Sequence, residues 1–216
     1  MIRVTHFSDW HSGTRPLPEA DVYICTGDML DNTSPPGWHI AWPDKLKEEP
    51  YQKLWVAKNK ARFSALLPAG ALILCVRGNH DFVDLAPLFR DVKDGTVHEF
   101  VDPRTIEIQG IKFGGFRGVP PISGRWADEE TERVLAAKCE ALGPVDVLVT
   151  HGPARGILDF CPGGNVGSVS LRTYVLEHKP RYHLFGHIHE SAGQRITPDT
   201  TFSNAAQGVE RLTINA

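Results

Sequence analysis

Five short apolar runs recur along the chain, and each stops at polar residues able to bind a metal. Residues 2–8 run into Asp9-Trp10-His11, and residues 21–26 into Gly27-Asp28. Residues 71–76 run into Gly78-Asn79-His80-Asp81, and residues 145–150 into His151-Gly152. Residues 182–185 run into Gly186-His187-Ile188-His189. The runs are β-branched or aromatic and bounded by glycine, which predicts strands. Their unbroken apolar character implies burial on both faces, as in a sheet covered by helices. Helix formers fill the gaps. Residues 44–67 place Leu54, Ala57, Ala61 and Ala65 at helical spacing, but Pro50 predicts a start near Tyr51. Residues 128–142 carry Asp128 and Glu129 early and Gly143-Pro144 as a stop, and residues 168–178 end before Pro180. Residues 104–109 and 111–116, hinged at Gly110, predict a hairpin, and 200–203 and 209–214 predict closing strands. The Pro- and Trp-rich residues 34–43 predict an irregular loop. No repeat, charge block or long linker divides the chain, so residues 1–216 are expected to form one domain, a layered α/β sandwich of mixed sheets.

Composition narrows the function. A chain of 216 residues, 41% hydrophobic and 23% charged, buries a sizeable core and is not disordered as a whole. Its 23 basic and 26 acidic residues leave a net charge of −3, which excludes a strongly basic nucleic-acid coat and gives no reason to expect an anionic membrane surface as partner. Cys25, Cys75, Cys139 and Cys161 form no CxxC pair, against a zinc ribbon or thioredoxin-like site and in keeping with a reducing cytosol. The first residues show no signal-peptide pattern. The most apolar stretch, residues 63–76, is broken by Pro68 and Gly70 and too short to span a bilayer. A soluble cytoplasmic protein is expected.

The ten histidines matter because of where they fall. Ligands of open α/β sheets bind at the carboxyl ends of strands, and here five predicted strand ends each deliver His, Asp or Asn. Spacing i, i+2 puts Asp9 and His11 on one side of an extended segment, and His187 and His189 repeat it. Hard oxygen with borderline nitrogen suits Mn²⁺, Fe, Zn²⁺ or Ni²⁺ better than Ca²⁺. Asp9, His11, Asp28, Asn79, His151, His187 and His189 are too many for one tetrahedral ion and suit two, with a bridging carboxylate. Two ions about 3.5–4 Å apart are a known device for displacement at phosphorus.

The order D-x-H, GD, GNH, H, G-H-x-H resembles the calcineurin-like metallophosphoesterase superfamily. Residues 147–153 and 179–190 resemble more narrowly its metallophosphoesterase-domain subfamily of small phosphodiesterases. The resemblance implies an α/β/β/α sandwich and a hydrolase with two divalent ions, Mn²⁺ first and Fe, Zn²⁺, Ni²⁺ or Co²⁺ as alternatives. Asp9, His11 and His189 would hold one ion, Asn79, His151 and His187 the other, and Asp28 would bridge them. A metal-bridging hydroxide would attack phosphorus, and His80 would protonate the leaving oxygen. Asp81 would orient His80 or raise its pKa. The implied substrates are small phosphodiesters such as cyclic nucleotides. A phosphomonoesterase, a protein phosphatase, a single-strand nuclease and a non-catalytic metal-binding scaffold are the alternatives. Long duplex nucleic acid and membranes are not expected as partners, and oligomeric state is not readable. His6, His39, His98, His178 and His183 read as structural or solvated. Trp10 would shape the mouth of the site or pack beneath it. Trp38 and Trp42 would line a substrate pocket or anchor their loop, and Arg117 and Arg125 would reach a phosphate or simply lie on the surface.

Overall fold

The computed structural model describes residues 1–33 and 43–215. Trp38, His39 and Trp42, and nearly all of the expected loop at 34–43, lie outside these residues. Along the chain run β1 (Ile2–Phe7), β2 (Val22–Cys25), α1 (Lys45–Ser64), β3 (Leu72–Cys75), a 3₁₀ turn (Ala86–Phe89), β4 (Thr96–Glu99), β5 (Arg104–Ile108) and β6 (Ile111–Gly115). They are followed by α2 (Glu132–Leu142), β7 (Val147–Val149), the small hairpin β8 (Phe160–Cys161) and β9 (Gly164–Asn165), and α3 (Val169–His178). β10 (Tyr182–Phe185), β11 (Gly193–Ile196), β12 (Thr201–Asn204) and β13 (Val209–Ile214) complete the fold.

Alternation within the buried strands decides the layering. Val22 and Ile24 of β2, Leu74 of β3 and Val147 and Val149 of β7 share one cluster with Phe113 and Leu184. Their strand neighbours Tyr23, Cys25 and Ile73 pack instead with Val56 and Phe63 of α1 and with Leu88. Leu148 of β7 packs with Leu135, Leu142, Leu171 and Tyr174 of α2 and α3. Two sheets therefore lie face to face, ordered β13-β1-β2-β3-β4 and β11-β12-β10-β7-β6-β5, with α1 outside the first and α2 and α3 outside the second. This is the expected α/β/β/α sandwich. The unbroken apolar runs are buried between a sheet and a helix, not between two helical layers. In each sheet four strands run parallel, β1–β4 in one and β12, β10, β7 and β6 in the other, with antiparallel strands only at the flanks. The hairpin of β5 and β6 pairs Ile108 with Ile111 across Gln109 and Gly110, both at positive φ (50° and 78°), a two-residue turn of the twist that hairpins favour.

Two helix starts differ from expectation. α1 begins at Lys45, upstream of Pro50, because the Asp44 carboxylate accepts the Leu46 N–H at 3.1 Å and caps the first turn. The buried Glu48 also ties that turn to Thr33, accepting its backbone N–H at 2.9 Å and its hydroxyl at 2.6 Å. Pro50 removes one interior hydrogen bond, on the exposed face of the helix. α2 begins later, at Glu132 capped by Thr131. Asp128 sits outside it at φ 51° and takes the Arg77 guanidinium at 2.9 Å.

Candidate metal centre

The carboxyl ends of β1, β2, β3, β7 and β10 turn sharply toward one another. Asp9, His11, Asp28 and His187 hold left-handed backbones, with φ of 57°, 43°, 52° and 73°. Such conformations cost roughly 1–2 kcal/mol each in L-residues and are retained where the surroundings enforce them, often at functional sites. Two glycines let the loops close. A Cβ on Gly78 would overlap Asp28 Oδ1 and the His151 ring, and one on Gly186 would overlap Ser8 and Asp9 Oδ2.

Two groups of donors result. The metal-competent atoms of Asp9, His11 and His189 all lie within 4.8 Å of one another, and so do those of Asp28, His151 and His187. In the first group His189 Nε2 is 3.1 Å from Asp9 Oδ1, and the His187 backbone N–H donates to Asp9 Oδ2 at 3.0 Å. In the second, His151 Nε2 lies 3.2 Å from Asn79 Oδ1 and 3.3 Å from Asp28 Oδ2. The His11 and His80 rings meet edge-on with centroids 4.7 Å apart, and His151 and His187 do so at 5.0 Å. The structure thus gathers all seven expected ligands and His80 at one end of the sandwich.

The donor set fits a cation. His151 Nδ1 lies 2.6 Å from the Thr26 carbonyl, an acceptor only, so that nitrogen carries the hydrogen. Without a proton on Nε2, the ring would aim a lone pair at two oxygens, one of them the carboxylate of Asp28. Buried lone pairs in such contact need a proton or a cation between them. Burial opposes protonation of His151, but the Asp28 carboxylate outweighs it and holds the ring up at about 10. Asp28 is held well below the usual carboxylate range: burial works the other way, and the neighbouring His151 and His80 prevail. His187 is pushed down to about 4, chiefly by burial, which keeps its ring neutral and able to ligate. Hydrogen bonding to Asp9 raises His189.

His80 is placed by residues that its own motif does not contain. Its backbone N–H donates to Asp28 Oδ1 at 2.8 Å, and its Nε2 stands 4.0 Å from Asp28 Oδ2. Its Nδ1 donates to Asn32 Oδ1 at 2.5 Å, and its carbonyl accepts from Asn32 Nδ2 at 3.4 Å and Gln52 Nε2 at 2.7 Å. Asp81, expected to orient this ring, makes its hydrogen bonds elsewhere. Its carboxylate accepts the backbone N–H groups of Asp28, Gly78, Met29 and Leu30 at 2.7–3.0 Å, pinning the β2 and β3 loops together. Burial and the Asp28 charge act to raise the Asp81 pKa, and these N–H groups act against them.

Asn32, Gln52 and Thr26 were not found from the sequence. Gln52 had a usable signal: with Glu48 it lies on the stripe of α1 that continues into Val56, and both polar residues are buried. Trp10 packs beneath the site against Phe7 and Phe63, with centroids 4.9 and 6.2 Å away. Arg117 reaches Asp128 at 3.4 Å and Asp84 at 3.7 Å. His6 and His183 are fully buried in the sandwich, with Ser203 and Thr26 around one and Thr150 beside the other. His178 packs against Tyr174 with its ring tilted, and His98 lies beside Arg104.

A sequence model of the calcineurin-like phosphoesterase family matches residues 2–191. Metallophosphoesterase domain-containing protein 1 of Homo sapiens is 46% identical over 212 residues, covering 92% of this chain and 64% of that protein, and its Mus musculus counterpart gives the same figures. The chain therefore spans under two thirds of these relatives. A UPF0046 protein of Caenorhabditis elegans is 30% identical over 225 residues, covering 95% of this chain and 75% of its own. In fold, the chain resembles the crystal structure of TT1561 of Thermus thermophilus, with a TM-score of 0.53 at 12% identity over 97% of each chain. Among the described residues no helix is long and apolar enough to cross a membrane. Strand ends that deliver oxygen and imidazole donors for divalent ions, on a sandwich of this order, agree with the sequence match: the chain belongs to the calcineurin-like phosphoesterase family.

Proposed function

We propose that this chain, read as a single domain over residues 1–216, is a two-metal hydrolase of small phosphodiesters, cyclic nucleotides among them. The observation that supports it most is the pair of adjoining donor groups with His80 at their edge. Asp9, His11 and His189 would hold one divalent ion and Asn79, His151 and His187 a second, with Asp28 available to both. The mixture of carboxylate, amide and imidazole donors suits Mn²⁺, Fe, Zn²⁺ or Ni²⁺, and Mn²⁺ is taken first because the resemblance to the family implies it. Bound there, such ions polarise phosphoryl oxygens and lower the pKa of water.

The protein's own groups do the rest. Thr26 fixes the His151 tautomer through Nδ1, so Nε2 is the ligating nitrogen. Asn32 accepts the hydrogen on His80 Nδ1, so only the protonated ring acts as the acid, and the proton it would pass to the leaving oxygen is the one on Nε2. General acid catalysis of this kind contributes roughly 10²–10⁴-fold. Asp81 keeps the Asp28 and Asn79 loops in register and takes no part in proton transfer. The four free thiols accord with a reducing compartment such as the cytoplasm.

The test exploits the leaving group. An alkoxide needs the proton from His80, whereas a nitrophenolate departs with little help. With Mn²⁺ present, His80→Ala should depress cyclic nucleotide hydrolysis by about 10²-fold or more and bis(p-nitrophenyl) phosphate hydrolysis much less, and EDTA should abolish both. Equal losses on both substrates would remove His80 as the acid. A preference for p-nitrophenyl phosphate over the diester would replace the diesterase reading with a monoesterase.

A further inference from the structure

Helix α1 is apolar on two opposite faces. Val56 and Phe63 lie on the buried one. Turned outward are Leu46, Pro50, Leu54, Ala57 and Ala61, with Ala65 at the C-cap, all exposed and spaced three or four apart as one stripe. Leu46 is 87% exposed and Leu54 64%. At about 100° per residue, Lys47, Lys58 and Arg62 run along one side of this stripe and Lys53 and Lys60 along the other. The helix carries six cations against two carboxylates, and one of those two, Glu48, is buried. Single exposed apolar residues need no explanation, but an ordered stripe between rows of cations marks an interaction face.

A surface of matching character lies on the opposite outer layer, between α2 and α3. A groove of about 440 Å³ runs there over Ala136, Cys139 and Tyr174, with half-exposed Val169 at its rim. Hydrogen bonds fix its two ends. The Tyr174 hydroxyl donates to the Gly143 carbonyl at 2.7 Å, and the Glu132 carboxylate accepts from the Ser168 hydroxyl and the Ser170 N–H, both at 2.9 Å. Glu132, Glu140 and Glu177 line the groove, and no lysine or arginine does so among the described residues. Lys138 and Arg172 are engaged elsewhere, on Glu130 at 2.7 Å and on the Arg155 carbonyl at 2.9 Å. One molecule thus presents an apolar helix face flanked by cations and an apolar groove flanked by carboxylates.

We propose that α1 of one copy of this chain docks in the α2–α3 groove of the next, with Leu54 and its neighbours over Ala136 and Tyr174 and the flanking lysines beside Glu140 and Glu177. Charge complementarity between the two faces selects a second copy as the occupant, and a helix laid in an apolar groove is a recurring mode of recognition. Alanines along the stripe let the helix axes approach closely. They suit a lipid surface poorly, because an anchoring helix inserts bulky residues there. The two faces lie outside different sheets, so every pair leaves one α1 face and one groove free. Association therefore runs head to tail and does not close about a two-fold axis. Neither face contains a proposed metal ligand or His80, so the inference goes beyond the phosphoesterase reading and stands apart from it.

The test is sedimentation of the full chain from about 10 µM to about 1 mM, which reaches the weak end of specific association. The mean mass should climb past that of a dimer, and should fall when salt is raised to about 1 M, where the screening length is about 3 Å. Leu54→Glu should remove the α1 face alone, and the Glu140→Lys/Glu177→Lys pair the groove alone, each weakening self-association by about tenfold or more. All three side chains are exposed, and a urea midpoint close to that of the wild type checks that both variants fold. Mixed in equal amounts, the two variants should form one-to-one dimers and nothing larger, because each supplies the face that the other lacks. A wild type that stays monomeric at the highest concentration, a dimer that never grows, or variants that fail to pair on mixing would overturn the proposal. A monomeric wild type that instead binds phosphatidylserine vesicles through Leu54 would overturn it in favour of a membrane surface.

Discussion

Two histidines of the site have their protons assigned by uncharged neighbours. The Thr26 carbonyl takes the Nδ1 hydrogen of His151, and the Asn32 amide oxygen takes that of His80. One amide serves His80 twice with the right polarity, its NH₂ donating to the His80 carbonyl while its oxygen accepts from the ring. Asn32→Ala should therefore free the ring to turn. Turnover of a diester with an alkoxide leaving group should fall about 10–100-fold, the usual cost of losing such a supporting hydrogen bond. Manganese content should not change, because Asn32 touches no proposed ligand, and Asn32→Asp, which keeps an acceptor in place, should recover much of the rate. Wild-type turnover in Asn32→Ala, or loss of manganese with it, would refute the positioning role. A carbonyl-fixed tautomer has the further effect that His151 and Asp28 present lone pairs to one another, so the site is electrostatically incomplete until a cation or proton fills it.

At the level of elements, Pro50 shows where local rules give way. A proline six residues into a helix normally ends or kinks it, yet α1 runs through because Asp44 caps its start and buried Glu48 anchors its first turn. Restoring the missing N–H with Pro50→Ala should raise stability by about 1 kcal/mol or more in urea unfolding, given the large gap in helix propensity between the two residues and partial offset by the freer unfolded chain. An unchanged or lower midpoint would mean that the proline fits the helix without cost. The central strands were legible in the sequence because both faces are buried and each reads as an unbroken apolar run. β4 and β11 were not, because Thr96-Val97-His98-Glu99 and Gly193-Gln194-Arg195-Ile196 are partly or largely exposed and carry no such run. The seven proposed ligands were legible because each follows a strand. Asn32 and Gln52 were not, because their roles arise from contacts with His80 across 28 to 48 residues of chain. The start of α2 was misplaced because Asp128 looks like a first-turn acid, whereas its charge is spent on Arg77.

For the whole molecule, the closing of two sheets over polar residues has a measurable consequence. His6 and His183 are fully buried, and burial pushes both down to about 3. Unfolded, each titrates near its ordinary 6.5. The stabilising difference is thus complete above about 6.5 and is lost as pH falls from there toward 3, where the unfolded chain takes up protons that the folded chain refuses. In EDTA, urea unfolding should show stability dropping with acidification across that window, by at most about 1.4 kcal/mol per pH unit for each histidine. A His6→Asn/His183→Gln double variant should show a shallower slope, and an equal slope would place the acid sensitivity elsewhere. The same closure brings five strand ends together, where the proposed centre would hold two ions. The most direct measurement is a manganese titration of the EDTA-stripped protein, counting ions bound per chain while diester hydrolysis is followed in the same samples. Two ions should bind per chain, with activity rising only as the second site fills, and Asp28→Ala should lose both. Full activity at one ion per chain, or two bound ions with no hydrolysis of any diester, would contradict it.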